Sequence, residues 1–413
     1  MLLTPYRVLD LTGPLGFLTG KIFGDLGADV IKIEPPGGDA ARRVPPLVKN
    51  GNGGGQSLYW LAYNANKRGI TLDLSHEFGR NMVRRLARRA DFIIESFPPG
   101  TLNHLECSYE TLRNENPRLI LVSISPFGQE GPYRDLQGSD LEIMALSGAM
   151  SLAGEKDGEP MRVSVPQAPM WVGAEAAMGA LMALAYRTTT GRGQRVDVSA
   201  QAAVMSALSH APAFWDLNRE NPERAGVFVT GRSVQGAKMR VMWQCHDGWI
   251  NFIIYGGAAG RHTNQQLVAW MDEKGLAPEW LKKIDWNTFA VTDITQSEVD
   301  RLEEAISHFF VGITKNEFFE GAIKRQMLGY PVATVEDISR NEQLGARDFW
   351  QEVADPASGK TLKYPGGFAV INGERLPIRR RAPEIGEHNL EVYADELGLL
   401  ESEITELAAA GVI

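Results

Sequence analysis

Gly13, Gly16 and Gly20 follow a short apolar run, and Glu34 closes the next one. A dinucleotide-binding fold keeps its phosphate turn and its ribose-binding acid at these two places. The spacing here is G-x-x-G-x-x-x-G, not the G-x-G-x-x-G fingerprint, so the glycines read as aids to tight packing. Gly53-Gly54-Gly55-Gln56 lacks the Lys-Ser/Thr that completes a P-loop and reads as a surface loop. None of the seven histidines forms a helical pair at metal-ligand spacing. His388, in Gly386-Glu387-His388, reads as a structural or surface histidine. No G-x-S-x-G elbow is present to support a serine hydrolase. Local motifs alone leave a soluble, enzyme-like α/β protein.

The elements that position these residues follow from apolar periodicity. Val8–Leu11 and Val30–Ile33 read as strands flanking a helix over Phe17–Leu26, which Gly27 ends. Ile70–Leu74, Phe92–Ile94 and Leu119–Ile124 read as further buried strands. Between the first two lies a helix with Phe78, Met82, Val83, Leu86 and Ala90 on one face. A long helix spans about Trp171–Arg187, followed by a strand at Arg195–Ser199 and a helix over Gln201–Trp215. Short apolar strands alternating with helices imply a parallel sheet covered on both faces.

The composition changes at the polar stretch Asn218–Pro222. Met239–Tyr255 reads as two strands joined at Asp247-Gly248, a hairpin signal. Ser297 with Asp300 and Thr314 with Glu317 fit capping boxes, and Val299, Leu302, Ile306, Phe309 and Phe310 form one apolar stripe. The expected organisation is a large Rossmann-like domain from both chain ends and a small α+β domain. Its parts are residues 1–216 (large), 217–235 (linker), 236–328 (small) and 329–413 (return linker and end of the large domain, with a last helix near Glu401–Ala410).

The formal net charge of −9 over 413 residues argues against nucleic acid, whose phosphates are held by clustered Lys and Arg. Cys107 and Cys245 lie far apart without metal-ligand spacing and read as reduced thiols of a cytoplasmic protein. The first residues lack a signal-peptide pattern, and no uncharged apolar run reaches the roughly 18 residues that would suggest a membrane span.

Motif order says more than any single motif. Leu26-Gly27-Ala28-Asp29-Val30-Ile31-Lys32-Ile33-Glu34-Pro35-Pro36-Gly37-Gly38-Asp39 is followed by Asn66-Lys67-Arg68, Leu72-Asp73 and Glu95-Ser96-Phe97-Pro98-Pro99-Gly100. Asn116-Pro117-Arg118-Leu119-Ile120, Phe127-Gly128-Gln129-Glu130-Gly131-Pro132-Tyr133 and Thr190-Gly191-Arg192-Gly193-Gln194 come next, and Gly386-Glu387-His388 closes the series. The series resembles family III CoA-transferases over essentially the whole chain. That resemblance implies an interlocked dimer, CoA thioesters as substrates and no permanently bound cofactor. It also implies covalent catalysis, in which an aspartate ahead of the long helix attacks the thioester.

The matching position here is Pro169, which carries no nucleophile. Asp140 is the substitute carboxylate that the sequence offers, and Glu175 lies inside the long helix among alanines. The resemblance places CoA contacts at Leu72, Phe97 and His104. His104 stands where the family usually has an arginine, and Ser75 where it has a lysine. The A-G-P element of the N-terminal loop is replaced by Leu15-Gly16-Phe17. Each lost charge-assisted bond weakens a polyanion's binding by about 1.5–3 kcal/mol. Family racemases pair a histidine with the aspartate, but Ser139 and Pro169 occupy those positions here. Tyr255, Gly256, Gly257 and Gly260 match the family's glycine-rich substrate loop, with Arg261 beside it as a partner for a dicarboxylate.

A fold kept without its nucleophile implies a non-catalytic subunit whose paralogous partner supplies the aspartate. The resemblance extends to the heteromeric family member of anaerobic toluene degradation that moves CoA from succinyl-CoA to (R)-benzylsuccinate, on the side of its aspartate-lacking subunit. Two other readings stand beside this one. One is an autonomous homodimer using Asp140, and the other is a non-enzymatic scaffold that binds CoA thioesters.

Overall fold

The computed structural model describes residues 1–49, 55–355 and 359–413. Gly53 and Gly54 of the glycine run lie outside the described residues, while Gly55 opens a short strand paired with Leu47–Lys49. The chain divides into two compact units. The first comprises residues 1–150, 162–220 and 343–413, and the second residues 151–161 and 221–342. Residues 151–161, read from sequence with the large domain, group with the second unit. There Gly226 N–H donates to the Gly154 carbonyl at 3.0 Å, and Arg224 donates to the Glu155 carbonyl.

The first unit is built on a six-stranded parallel sheet. Its strands are β1 (Arg7–Leu11), β2 (Asp29–Glu34), β3 (Lys67–Thr71), β4 (Phe92–Glu95), β5 (Ile120–Ser125) and β6 (Arg195–Ser199). They lie in the order β3-β2-β1-β4-β5-β6. This is the doubly wound order, and it reverses direction between β1 and β4. The central strands are apolar because helices cover both faces. One face packs α1 (Phe17–Asp25) and the 23-residue α7 (Ala168–Thr190) over Val8, Val30, Phe92 and Val122. The other packs α3 (Glu77–Ala87) over Leu9, Ile31, Ile70, Ile93 and Leu121. By length and composition α7 would also suit a membrane span, but half of its apolar window is buried and it carries Glu175 and Arg187.

Several expected elements moved. The strand expected at Ile70–Leu74 runs over Lys67–Thr71. Lys67 is fully buried because Asp10 Oδ2, Asn64 Oδ1 and the Phe17 carbonyl accept from its Nζ at 2.7, 2.9 and 3.0 Å. The helix expected over Gln201–Trp215 is two helices, α8 (Ala200–Ser206) and α9 (His210–Asn218). Pro212 has no N–H with which to continue a helix backward into residues 207–209. Trp350–Asp355 and Lys360–Pro365 form an antiparallel hairpin that the sequence reading did not resolve.

In the second unit β7 (Met242–Cys245) and β8 (Gly248–Asn251) form the hairpin expected at Asp247-Gly248. Helices α10 (Gly257–Glu273), α11 (Gln296–Val311) and α12 (Lys315–Lys324) pack on it. Their core includes Trp243, Phe252, Trp270 and the α11 stripe. The box at Thr314–Glu317 is present. That of α11 is Thr295–Glu298 rather than Ser297–Asp300, and Asp300 accepts from Gln296 Nε2 instead. Cys107 and Cys245 are both buried and free.

Candidate functional site

All six strands of a parallel sheet end on one edge, and in doubly wound folds ligands bind outside the carboxyl ends where strand order reverses. Here that place lies between Leu11 of β1 and Glu95 of β4, which are register partners. The loop after β1 and the turn after β4 are tied directly, because Ser96 Oγ accepts from Gly13 N–H at 2.7 Å. Gly16 and Gly20 serve packing. A Cβ on Gly16 would stand 2.6 Å from Thr12 Cγ2, and one on Gly20 would stand 2.2 Å from Asp10 Oδ2.

Beneath this loop lies a buried charge cluster. Asp10 accepts from Lys67 and from the Thr12 hydroxyl, and Lys32 Nζ donates to the Thr12 carbonyl. Burial alone would raise the Asp10 pKa, but Lys67 and Lys32 more than offset it and hold the carboxyl below its usual range. Burial pulls Lys67 down to about 8 against the pull of Asp10. Glu34 offers no free acid to a ribose. Arg42 holds both its oxygens at 2.6 and 2.7 Å, and the Arg42 guanidinium lies 3.8 Å over the Trp60 ring.

Leu72, Phe97 and His104 all follow strand ends on this edge. The Leu72 side chain is core, and its N–H donates to the Glu34 carbonyl at 2.7 Å. Phe97 is half-buried against the same apolar cluster. His104 is exposed at the end of the one-turn helix Thr101–His104. His388 has a structural bond, its Nδ1 accepting from Gly69 N–H at 3.1 Å, and burial lowers its pKa.

Pro169 is the second residue of α7 and is buried. Proline suits a first helical turn, where an N–H has no intrahelical partner. One turn later, a Cβ on Gly173 would come 2.8 Å from Leu18 Cβ, and the Gly173 carbonyl accepts from Thr19 Oγ1. The start of α7 therefore lies against the start of α1, close to the loop that Ser96 pins. Asp140 stands at this helix terminus, its Oδ1 accepting from the N–H groups of Gln167 and Ala168 at 2.7 and 2.8 Å. A carboxylate here satisfies two orphan donors and complements the helix dipole. The Asp140 charge also acts on Tyr59, whose pKa is raised chiefly by burial. Glu175 is half-buried on α7.

In the second unit the glycine-rich segment is a helix start rather than a loop: α10 begins at Gly257, with Gly256 as its cap. Gly260 is required there, since a Cβ would meet Tyr255 Cβ at 2.4 Å. Asn264 fixes Tyr255 through both its backbone N–H and its carbonyl. Arg261 is exposed and makes no ion pair among the described residues.

Sequence reasoning quoted Glu95 and Ser96 only as members of a motif and gave neither a role. The available signal was an acid ending an apolar strand, the same pattern that drew attention to Glu34. Glu95 is buried, its Oε2 accepts from Phe97 N–H at 2.8 Å, and burial pushes its pKa up to about 7 despite the Ser123 hydroxyl bond. At the end of β5, Gln129 Oε1 accepts from Arg195, while its buried Nε2 has no hydrogen-bond partner among the described residues. Among the described residues no group of acids, histidines or cysteines could hold a metal ion.

A family model described as CoA-transferase family III matches residues 3–389. The chain is similar to subunit BbsE of succinyl-CoA:(R)-benzylsuccinate CoA-transferase from Thauera aromatica. The two are 37% identical over 412 residues, covering 99% of this chain and 97% of the relative. Formyl-CoA:oxalate CoA-transferase from Streptomyces avermitilis is 30% identical, with 98% of each chain covered. Among solved structures, a CAIB/BAIF family protein from Brucella suis superposes with a TM-score of 0.80. It is 27% identical, with 94% of this chain and 98% of that one covered.

Proposed function

Because this chain belongs to CoA-transferase family III, we propose that it is the non-catalytic subunit of a heteromeric CoA-transferase whose paralogous partner supplies the nucleophilic aspartate. The carrying observation is Pro169, buried in the first turn of α7 with no side-chain oxygen to acylate. Asp140 supports the same reading, because one of its carboxylate oxygens is committed to two backbone N–H groups. A carboxylate that accepts two such bonds is a weaker nucleophile, since attack would strip the helix terminus of its cap.

Support for a partner comes from the surface of the first unit. Trp171, Met178, Met182 and Tyr186 lie at helical spacing on α7 and are exposed, and Phe214, Trp215 and Leu217 are exposed on α9. Apolar surface of this extent marks an interface. By similarity we infer succinyl-CoA as the CoA donor and an acid of the benzylsuccinate type as the acceptor, as named for the Thauera aromatica relative.

The test assays CoA transfer from succinyl-CoA to (R)-benzylsuccinate with this chain alone, with its paralogue alone, and with the two co-expressed. Activity only in the co-expressed complex, retained in Asp140→Asn, supports the reading. Turnover by the lone chain contradicts it.

A further inference from the structure

Only two residues of α7 carry a charge, and their surroundings differ. Arg187 is buried, and its guanidinium donates to Asp91 Oδ1 at 2.9 Å. Glu175 is half-buried and makes no ion pair among the described residues. It stands inside the exposed apolar stripe of the helix. Trp171 precedes it by four residues, and Met178, Met182 and Tyr186 follow at steps of three, four and four. Ala174 and Ala185 are exposed beside them. Steps of three and four residues place all of these on one side of a helix. The stripe is about 22 Å long. A seam of this spacing suits the side of another helix, and a carboxylate interrupts it.

Covering this face takes the Glu175 carboxylate out of water, which is costly unless a cation meets it. A second copy of this chain brings none. Antiparallel pairing of two α7 helices about the middle of the stripe sets Glu175 against Met182. Parallel pairing sets it against a second Glu175. The exposed face of α9 brings Phe214 and Trp215, and Arg219 beyond it is already paired with Asp216 at 3.1 Å. We propose that Glu175 sets partner choice on this face: it accepts an ion pair from a Lys or Arg of the paralogous subunit and penalises the pairing of two copies of this chain. The proposal rests on the heteromeric reading above and names the group by which the partner is told apart. Trp171, Met178 and Met182 supply contact area that either partner can cover. A single polar group in an apolar seam selects between them at some cost in stability. Leaving it unpaired against the wrong partner is the repulsive half of that selection.

Co-expression of the full chain with its full-length paralogue, followed by native mass spectrometry, counts mixed and self-paired assemblies. Wild type should give mostly mixed ones. Glu175→Leu is expected to lower the ratio of mixed to self-paired assemblies by about tenfold or more, and Glu175→Gln to lower it less. Glu175→Lys should lower it furthest, and changing one Lys or Arg of the paralogue to Glu should restore it. A ratio unchanged or raised in both Glu175→Leu and Glu175→Gln overturns the proposal. Should Glu175→Leu be insoluble, Glu175→Gln and Glu175→Lys decide by the same ratio. If wild type forms no mixed assembly, the heteromeric reading fails, and the chain expressed alone then reads Glu175. There Glu175→Gln should raise the share of self-paired chain, and an unchanged share overturns its role in excluding a second copy.

Discussion

At residue 169 the helix start and the chemistry make different demands. A first helical turn accepts proline without cost, because the missing N–H has no intrahelical use. Proline offers no side-chain oxygen there for the acyl transfer proposed above. Asp140 takes up the helix start instead, so Asp140→Ala should lower stability by about 1 kcal/mol, as loss of other helix caps does, measured by urea unfolding. Glu95 yields a pH prediction. Its folded pKa, about 7, lies above its ordinary 4.5, so its protonated form contributes stability that is complete below about 4.5 and lost as pH rises through 7. Glu95→Gln should therefore flatten up to about 3 kcal/mol of the decline in stability between pH 4.5 and 8. Unfolding curves at several pH values check this. The start of the long helix around Pro169 was legible to within three residues, Trp171 expected and Ala168 observed. Glu95 was not, since its buried setting depends on Ser123 and Arg195, 28 and 100 positions away in the chain.

Among the elements, apolar periodicity located the strands that are apolar throughout and misplaced the one that is not. Lys67 and Arg68 look like solvent-facing residues, which pushed the expected third strand three residues too far along. Both are buried and paired, Lys67 to Asp10 and Arg68 to Asp29, Glu391 and Glu396. No local pattern foretells pairs of such sequence separation. The same cluster makes Gly20 irreplaceable. Gly20→Ala would drive a methyl into the Asp10–Lys67 pair and should cost about 3 kcal/mol or more, read as a lowered denaturation midpoint. On α11 the box residue is Thr295, so Thr295→Ala should cost about 1 kcal/mol and Ser297→Ala much less, which a paired unfolding experiment separates.

For the whole molecule, order along the chain was more informative than any site. The parallel sheet, the hairpin at Asp247-Gly248 and the α11 stripe were all readable because each buries a regular apolar pattern. The tie between 151–161 and the second unit was not, because it rests on turns and on Arg224 rather than on periodicity. The exposed apolar faces of α7 and α9 set the prediction at this scale. Met182→Glu should leave the far-ultraviolet dichroism of the chain unchanged while weakening its association with the paralogue, measured by light scattering after co-purification.

A fold that carries CoA-transferase architecture without an acylatable side chain at residue 169 makes one direct demand on experiment. Intact-protein mass spectrometry of the isolated chain, quenched during incubation with succinyl-CoA, should return only the unmodified mass. A covalent succinyl or CoA adduct, mapped to Asp140 or to any other carboxylate of this chain, would contradict the account.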